Sequence, residues 1–167
     1  REQNGASPKE LYRTFNMGVG FALIVSSRHA LKAVEFLKKH NAGVLATVSK
    51  EYKPHASAVF YVADDSFNIY FLTKIDSRKY HAISAHPQVA FTVGRLDVPQ
   101  TLQIEGMACE VQSDDEMAER IPELIETLEK NNPYYIPIAK MDSRVTLMWL
   151  QPKWIRWGDF STPGLGN

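Results

Sequence analysis

Three β-like segments follow one another so closely between Gly43 and Thr73 that an antiparallel meander is the arrangement open to them. "GVLATVSK" (43–50) is rich in branched residues and gives way to the turn-like "EYKP". "PHASAVFYVADD" (54–65) ends on the turn Asp64-Asp65-Ser66, and "FNIYFLT" (67–73) follows at once. Parallel neighbours need a crossover of about a dozen residues, which these connections do not contain. Further along, "QVAFTVG" (88–94) and "QTLQIEGMACEVQ" (100–112) continue the sheet across the loop "RLDVP". "VTLMWLQ" (145–151) and "KWIRWGDF" (153–160) read as closing strands separated by a Pro turn. The pattern predicts a mainly β domain of six or seven antiparallel strands, closed into a small barrel with helices at its periphery. Closure removes the sheet edges that would otherwise invite aggregation.

Helical periodicity marks the remaining segments. In "RHALKAVEFLKKH" (28–40), Leu31, Val34 and Leu37 share one face, and Asn41 and Gly43 are stop signals. "SRKYHAISAH" (77–86) predicts a short helix stopped by Pro87. Ser113 and Glu116 have the spacing of a capping box, opening a region in which Met117, Ile121, Leu124, Ile125 and Leu128 form an apolar core stripe. Pro122 lies inside that stripe and predicts a kink or two short helices.

With 167 residues the chain has room for one domain with a substantial core. Lys plus Arg and Asp plus Glu balance at 19 each, so no net field favours a nucleic-acid or membrane partner. The single cysteine, Cys109, rules out an internal disulfide; its alternating apolar surroundings predict a buried, inert thiol. "MGVGFALIV" is too short to span a bilayer and lacks a signal-cleavage pattern, so a cytoplasmic protein is expected. The five histidines lack metal-site spacing, no G-x-S-x-G element indicates a hydrolase, and "GVG" at 18–20 lacks the third glycine of a dinucleotide fingerprint. Near the C-terminus, Trp149, Trp154, Trp157 and Phe160 cluster; Trp157 falls on one strand face with Ile155, and Trp154 on the other with Arg156. These aromatics suit core or subunit packing, or a wall against a flat ring system.

The segment "FLTKIDSRKYHAISAHPQVAFTV" carries the clearest chemical signal. Thr73 ends a strand, and Ser77, Arg78 and Lys79 open a helix. A helix N-terminus offers unsatisfied N–H groups and positive dipole, Ser77 a hydroxyl, Arg78 a planar fork and Lys79 a point charge: the components of a phosphate site. Asp76 would compete with a phosphate for those donors unless it turns away. The competing reading is a solvated helix cap with two surface cations.

The order of these segments, from "GVLATVSK" through "FLTKIDSRKYHAISAHPQVAFTV" to the Gly106 that ends "TLQIEG", resembles the pyridoxamine 5′-phosphate oxidase-like family of FMN-binding split β-barrels over about residues 31–160. The resemblance implies a homodimeric split barrel with FMN at the subunit interface. It implies that Thr73, Ser77, Arg78 and Lys79 hold the phosphate and ribityl chain, with Leu72 beside them. Ser57, Ala58 and Val59 would run along the isoalloxazine ring, Thr101 and Gln103 would approach it from the next strand pair, and Trp154 or Trp157 would reach the partner's flavin. Vitamin B6 oxidases of the family carry an Arg at the position of Ser57 and a Lys at that of Val62, so the flavin site transfers better than the substrate site. The activity implied is an FMN-dependent oxidoreductase acting on an unidentified small molecule, with no obligatory acid or base evident. Alternatives on the same barrel are a deazaflavin-dependent reductase or a non-catalytic flavin- or haem-binding protein, with His55, His81 or His86 as axial candidates. The leading segment, "ELYRTFNMGVGFALIVSSRHALKAVEFLKKH", is similar to the C-terminal region of aminoimidazole ribonucleotide synthetase. Residues 1–30 are accordingly expected to be an N-terminal extension, partly mobile, ahead of a barrel domain at 31–167.

Overall fold

A computed structural model describes residues 15–16, 21–24, 27–94, 99–112, 118–133 and 144–160. Among these residues, nine strands form one sheet. They are β1 (Phe15–Asn16), β2 (Phe21–Ile24), β3 (Ala42–Val48), β4 (Pro54–Phe60), β5 (Val62–Ala63), β6 (Ile69–Lys74), β7 (Gln88–Gly94), β8 (Gln100–Glu110) and β9 (Val145–Asp159). The α-helices are α1 (Ser27–Lys39), α2 (Arg78–Ala85) and α3 (Ile121–Asn131). The main path runs β1-β2-β9-β8-β7-β3-β4, while β6 pairs with the first part of β9 and carries β5. Every pairing is antiparallel except β2 with β9, which is parallel. β4 and β6 approach each other without a ladder between them, which leaves the barrel split there. The expected mainly β split barrel is therefore present.

Strand alternation builds the core. In β7 every second residue is buried, placing Val89, Phe91 and Val93 inside, where they meet Leu45, Val59, Leu102, Ile104, Leu150 and Ile155. β6 departs from alternation because both its faces are covered. Ile69 and Phe71 enter the barrel core, whereas Tyr70 and Leu72 join Leu124 and Leu128 of α3 in a second cluster. A strand buried on both faces reads as a continuous apolar run, as "IYFLT" does.

Several local expectations change. The buried stripe of α1 is Ala33, Phe36 and Leu37; Leu31 is 74% exposed, because the helix turns its Phe36 ring toward Trp157. The segment 54–65 breaks at Tyr61, whose ring is buried and whose hydroxyl donates to the Leu37 carbonyl at 2.8 Å. Residues 145–159 form one strand rather than two. At the β8–β9 bulge, Glu105 pairs with Trp154 and Gly106 with Pro152, leaving Lys153 as the extra residue. A bulge accepts a proline that lacks an N–H. Cys109 is exposed, not buried, its sulfhydryl lying 3.9 Å from the Trp149 carbonyl. Pro122 stands in the first turn of α3, just after a 3₁₀ turn at Ala118–Arg120, where a missing N–H costs nothing. Ser113, Glu116 and Met117 lie outside the described residues. No helix among the described residues is long and apolar enough to cross a membrane.

Candidate functional site: a cationic corner and an outward sheet row

Where β6 hands over to α2, four of the sequence-selected residues come together. Thr73 is only 2% exposed, and its hydroxyl lies 3.0 Å from the Ser77 hydroxyl. Ser77 is the N-cap of α2, its Oγ accepting from the Tyr80 N–H at 3.2 Å. Arg78 and Lys79 follow in the first turn. Burial pushes the Lys79 ammonium below its ordinary pKa, so this cation is held in partly desolvated surroundings. Among the described residues, neither Arg78 nor Lys79 has an ion-pair partner, whereas the neighbouring Asp76 pairs with Arg144 at 2.8 Å. Asp76 is thereby occupied elsewhere, which removes the competition its position raised.

The corner is tied to the sheet by residues that sequence spacing does not reveal. Thr73 stands opposite Thr146 on β9. The Thr146 hydroxyl donates to Glu110 at 2.6 Å, and the Tyr80 hydroxyl donates to the other oxygen of that carboxylate at 2.9 Å. Glu110 thus clamps α2 against β8 and β9. Its partners are 30 and 36 positions away in the chain, so no local signal points to them.

The remaining candidates divide by strand face. Leu72 is enclosed in the cluster beneath α3, and Val59 is buried in the barrel core. Ser57 is half-buried on the same face of β4 as Val59, while Ala58 points outward. Through the ladders, Ala58, Val44, Thr92, Gln103 and Arg156 form one transverse row across five strands. Thr101 and Trp154 flank that row on the same outward face. Trp157 points the other way: its ring meets Phe36 of α1 at 4.9 Å. The outward face is a terrace of small apolar residues, including exposed Ala42, Val44, Ala46, Ala56, Ala58 and Ala90. Along one chain, β4 and β8 are three strand spacings apart, roughly 14 Å. Accordingly, the structure joins Thr73, Ser77, Arg78 and Lys79 in one place and sets Thr101, Gln103 and Trp154 in another.

The chemistry of the corner suits a terminal phosphate: two hydroxyls, a helix N-terminus and two cations without counter-charges among the described residues. Comparison with known proteins identifies relatives of the chain. The pyridoxamine 5′-phosphate oxidase family model matches residues 31–157. A pyridoxine/pyridoxamine 5′-phosphate oxidase of Burkholderia cenocepacia is 33% identical over 70 residues, covering 42% of this chain and 33% of the oxidase. A phosphoribosylformylglycinamidine cyclo-ligase of Rippkaea orientalis is 49% identical over 45 residues, which are 27% of this chain and 12% of that enzyme. The chain therefore spans a third or less of the length of these curated relatives. In structure, it resembles the crystal structure of a putative pyridoxamine 5′-phosphate oxidase from Listeria innocua, with a TM-score of 0.60 at 25% identity. That likeness covers 77% of this chain and 96% of the other.

Proposed function

The chain belongs to the pyridoxamine 5′-phosphate oxidase family, and from that premise we propose that it is an FMN-binding oxidoreductase, with the flavin phosphate held by Thr73, Ser77, Arg78 and Lys79. The observation that carries this reading is the pair of adjacent cations, one of them partly desolvated, standing without carboxylate partners among the described residues. A partly desolvated ammonium such as that of Lys79 is stabilised by an anion brought beside it. FMN, when bound, supplies hydride and single-electron chemistry. The chain's own contribution is to anchor the phosphate, fix its angle through the Ser77 cap, and keep α2 in place through Tyr80 and Glu110.

The reading includes a homodimer. Gln103 pairs with Arg156, ten residues along β9 from the Thr146 that stands opposite Thr73, so this part of the outward row lies away from its own chain's corner. A second copy, laid terrace to terrace, would bring its Thr101, Gln103 and Trp154 toward that corner. The substrate is a small molecule other than a B6 phosphate. Val62, where the B6 oxidases carry Lys, is buried beneath α3 in this chain, and Ser57 gives no cation.

Flavin fluorescence quenching during titration with FMN tests the proposal. Arg78→Ala combined with Lys79→Ala is expected to weaken FMN binding about 100-fold, since each charged contact contributes roughly 1.5 kcal/mol. Unchanged affinity would end the assignment of the phosphate site. A visible spectrum of the purified protein with one intense sharp band, in place of two broad flavin bands, would replace flavin with haem.

A further inference from the structure

Helix α1 does not close fully against the sheet it covers. Between its side carrying Lys32, Glu35, Phe36 and Lys39, with His40 just beyond, and the strand positions Gln100 and Trp157 lies a pocket of about 330 Å³. It shares no lining residue with the corner of Thr73, Ser77, Arg78 and Lys79, so the flavin reading leaves it unused.

The walls of this pocket are aromatic and fixed. The Phe36 ring meets Trp157 edge-on at 4.9 Å and lies 4.1 Å from His40. His40 Nδ1 is 2.7 Å from the Phe36 carbonyl oxygen, which can only accept, so this nitrogen carries the proton and the imidazole is held in place. Gln100 is held too: its amide nitrogen donates to Asp159 at 3.0 Å. The rim, in contrast, is charged and free. Lys32, Glu35 and Lys39 are exposed, and no ion pair among the described residues engages them, whereas the neighbouring Lys38 is paired with Asp65 at 2.9 Å.

Two cations against one carboxylate make the rim net positive, while the rings behind it offer a flat apolar face. That combination fits a molecule with a planar apolar body and one anionic group at its edge. The volume stands near the lower end of the roughly 300–1,000 Å³ usual for ligand pockets, which limits the body to one or two fused rings. We propose that the pocket binds a small aromatic carboxylate, its ring against Phe36 and Trp157 and its carboxylate reached by Lys32 and Lys39. Because the walls are already locked by internal contacts, little side-chain freedom is lost there on binding. This site is independent of the flavin reading above.

Calorimetric titration of the flavin-free and FMN-loaded protein with naphthoate, and with the uncharged naphthalenemethanol, tests the proposal. Naphthoate is expected to bind both forms alike, about tenfold more tightly than the alcohol. Lys32→Gln combined with Lys39→Gln changes only exposed side chains, so the fold is kept. This variant is expected to bring naphthoate down to the level of the alcohol while leaving FMN affinity unchanged. Glu35→Gln removes the opposing carboxylate and is expected to tighten naphthoate about threefold. No binding of naphthoate, equal binding of acid and alcohol, or equal affinity in the parent and the lysine variant would each overturn the site. Displacement of naphthoate by FMN would make the pocket part of the flavin site and overturn a separate one. Naphthoate bound as expected by a protein that takes no FMN would sink the flavin reading and keep this one.

Discussion

Ser77 performs two tasks with one oxygen. As N-cap it accepts from the Tyr80 N–H, and it also meets the Thr73 hydroxyl at the mouth of the corner. A mere solvated cap and a phosphate site both need the first task, so substitutions can part them. Ser77→Ala loses the cap and should lower stability by about 1 kcal/mol, or roughly 2–4 °C in Tm. Ser77→Asp keeps a capping oxygen and should hold Tm within about 1 °C, but it sets a negative charge where the phosphate is placed. FMN affinity should then fall at least about tenfold, by loss of a donor and like-charge repulsion. An aspartate variant binding FMN as well as the parent would reduce the corner to a helix cap. These residues could be picked out from the chain alone because they lie within seven positions of one another. The Glu110 clamp and the meeting of Tyr52 with His86 could not, since both depend on how distant elements dock.

At the level of elements, Gly106 is the residue on which the β8–β9 ladder turns. A Cβ there would collide with the Gln151 backbone at the bulge, and backbone cannot swing aside as a flexible side chain can. Gly106→Ala should cost about 2–3 kcal/mol, seen as a Tm lower by roughly 5–10 °C in thermal unfolding. A variant as stable as the parent would mean that the bulge relaxes freely. Strand reading succeeded where one face is buried and the other open: β7 and β8 alternate with period two, and their sequences announce it. Pro152 misled it, because a break and a bulge look alike until the partner strand is known. In α1, Leu31 and Val34 offered as good a stripe as Ala33 and Phe36. Only docking onto Trp157 and the barrel end decides between faces two residues apart.

For the molecule as a whole, the terrace of alanines and valine is the surface by which the dimer reading stands or falls. Val44 is 47% exposed and stands between Ala58 and Thr92 in the transverse row. Val44→Glu puts a charge into the face proposed to be covered, with no effect on the barrel interior. Sedimentation or light scattering should then show a dimer in the parent and a monomer in the variant, and FMN affinity should fall with assembly. A parent that is monomeric while binding FMN at full strength would confine the site to one chain. The long strand β9 adds a different lesson. It borders β6 along its first half and β2 along its second, with β8 against its other side. It is thus the spine that both arms of the sheet share, whereas the tip of the β3–β4 turn belongs to one hairpin. A circularly permuted chain opened at that tip would keep every ladder, and one opened within β9 would divide the molecule into halves that no longer know each other's position.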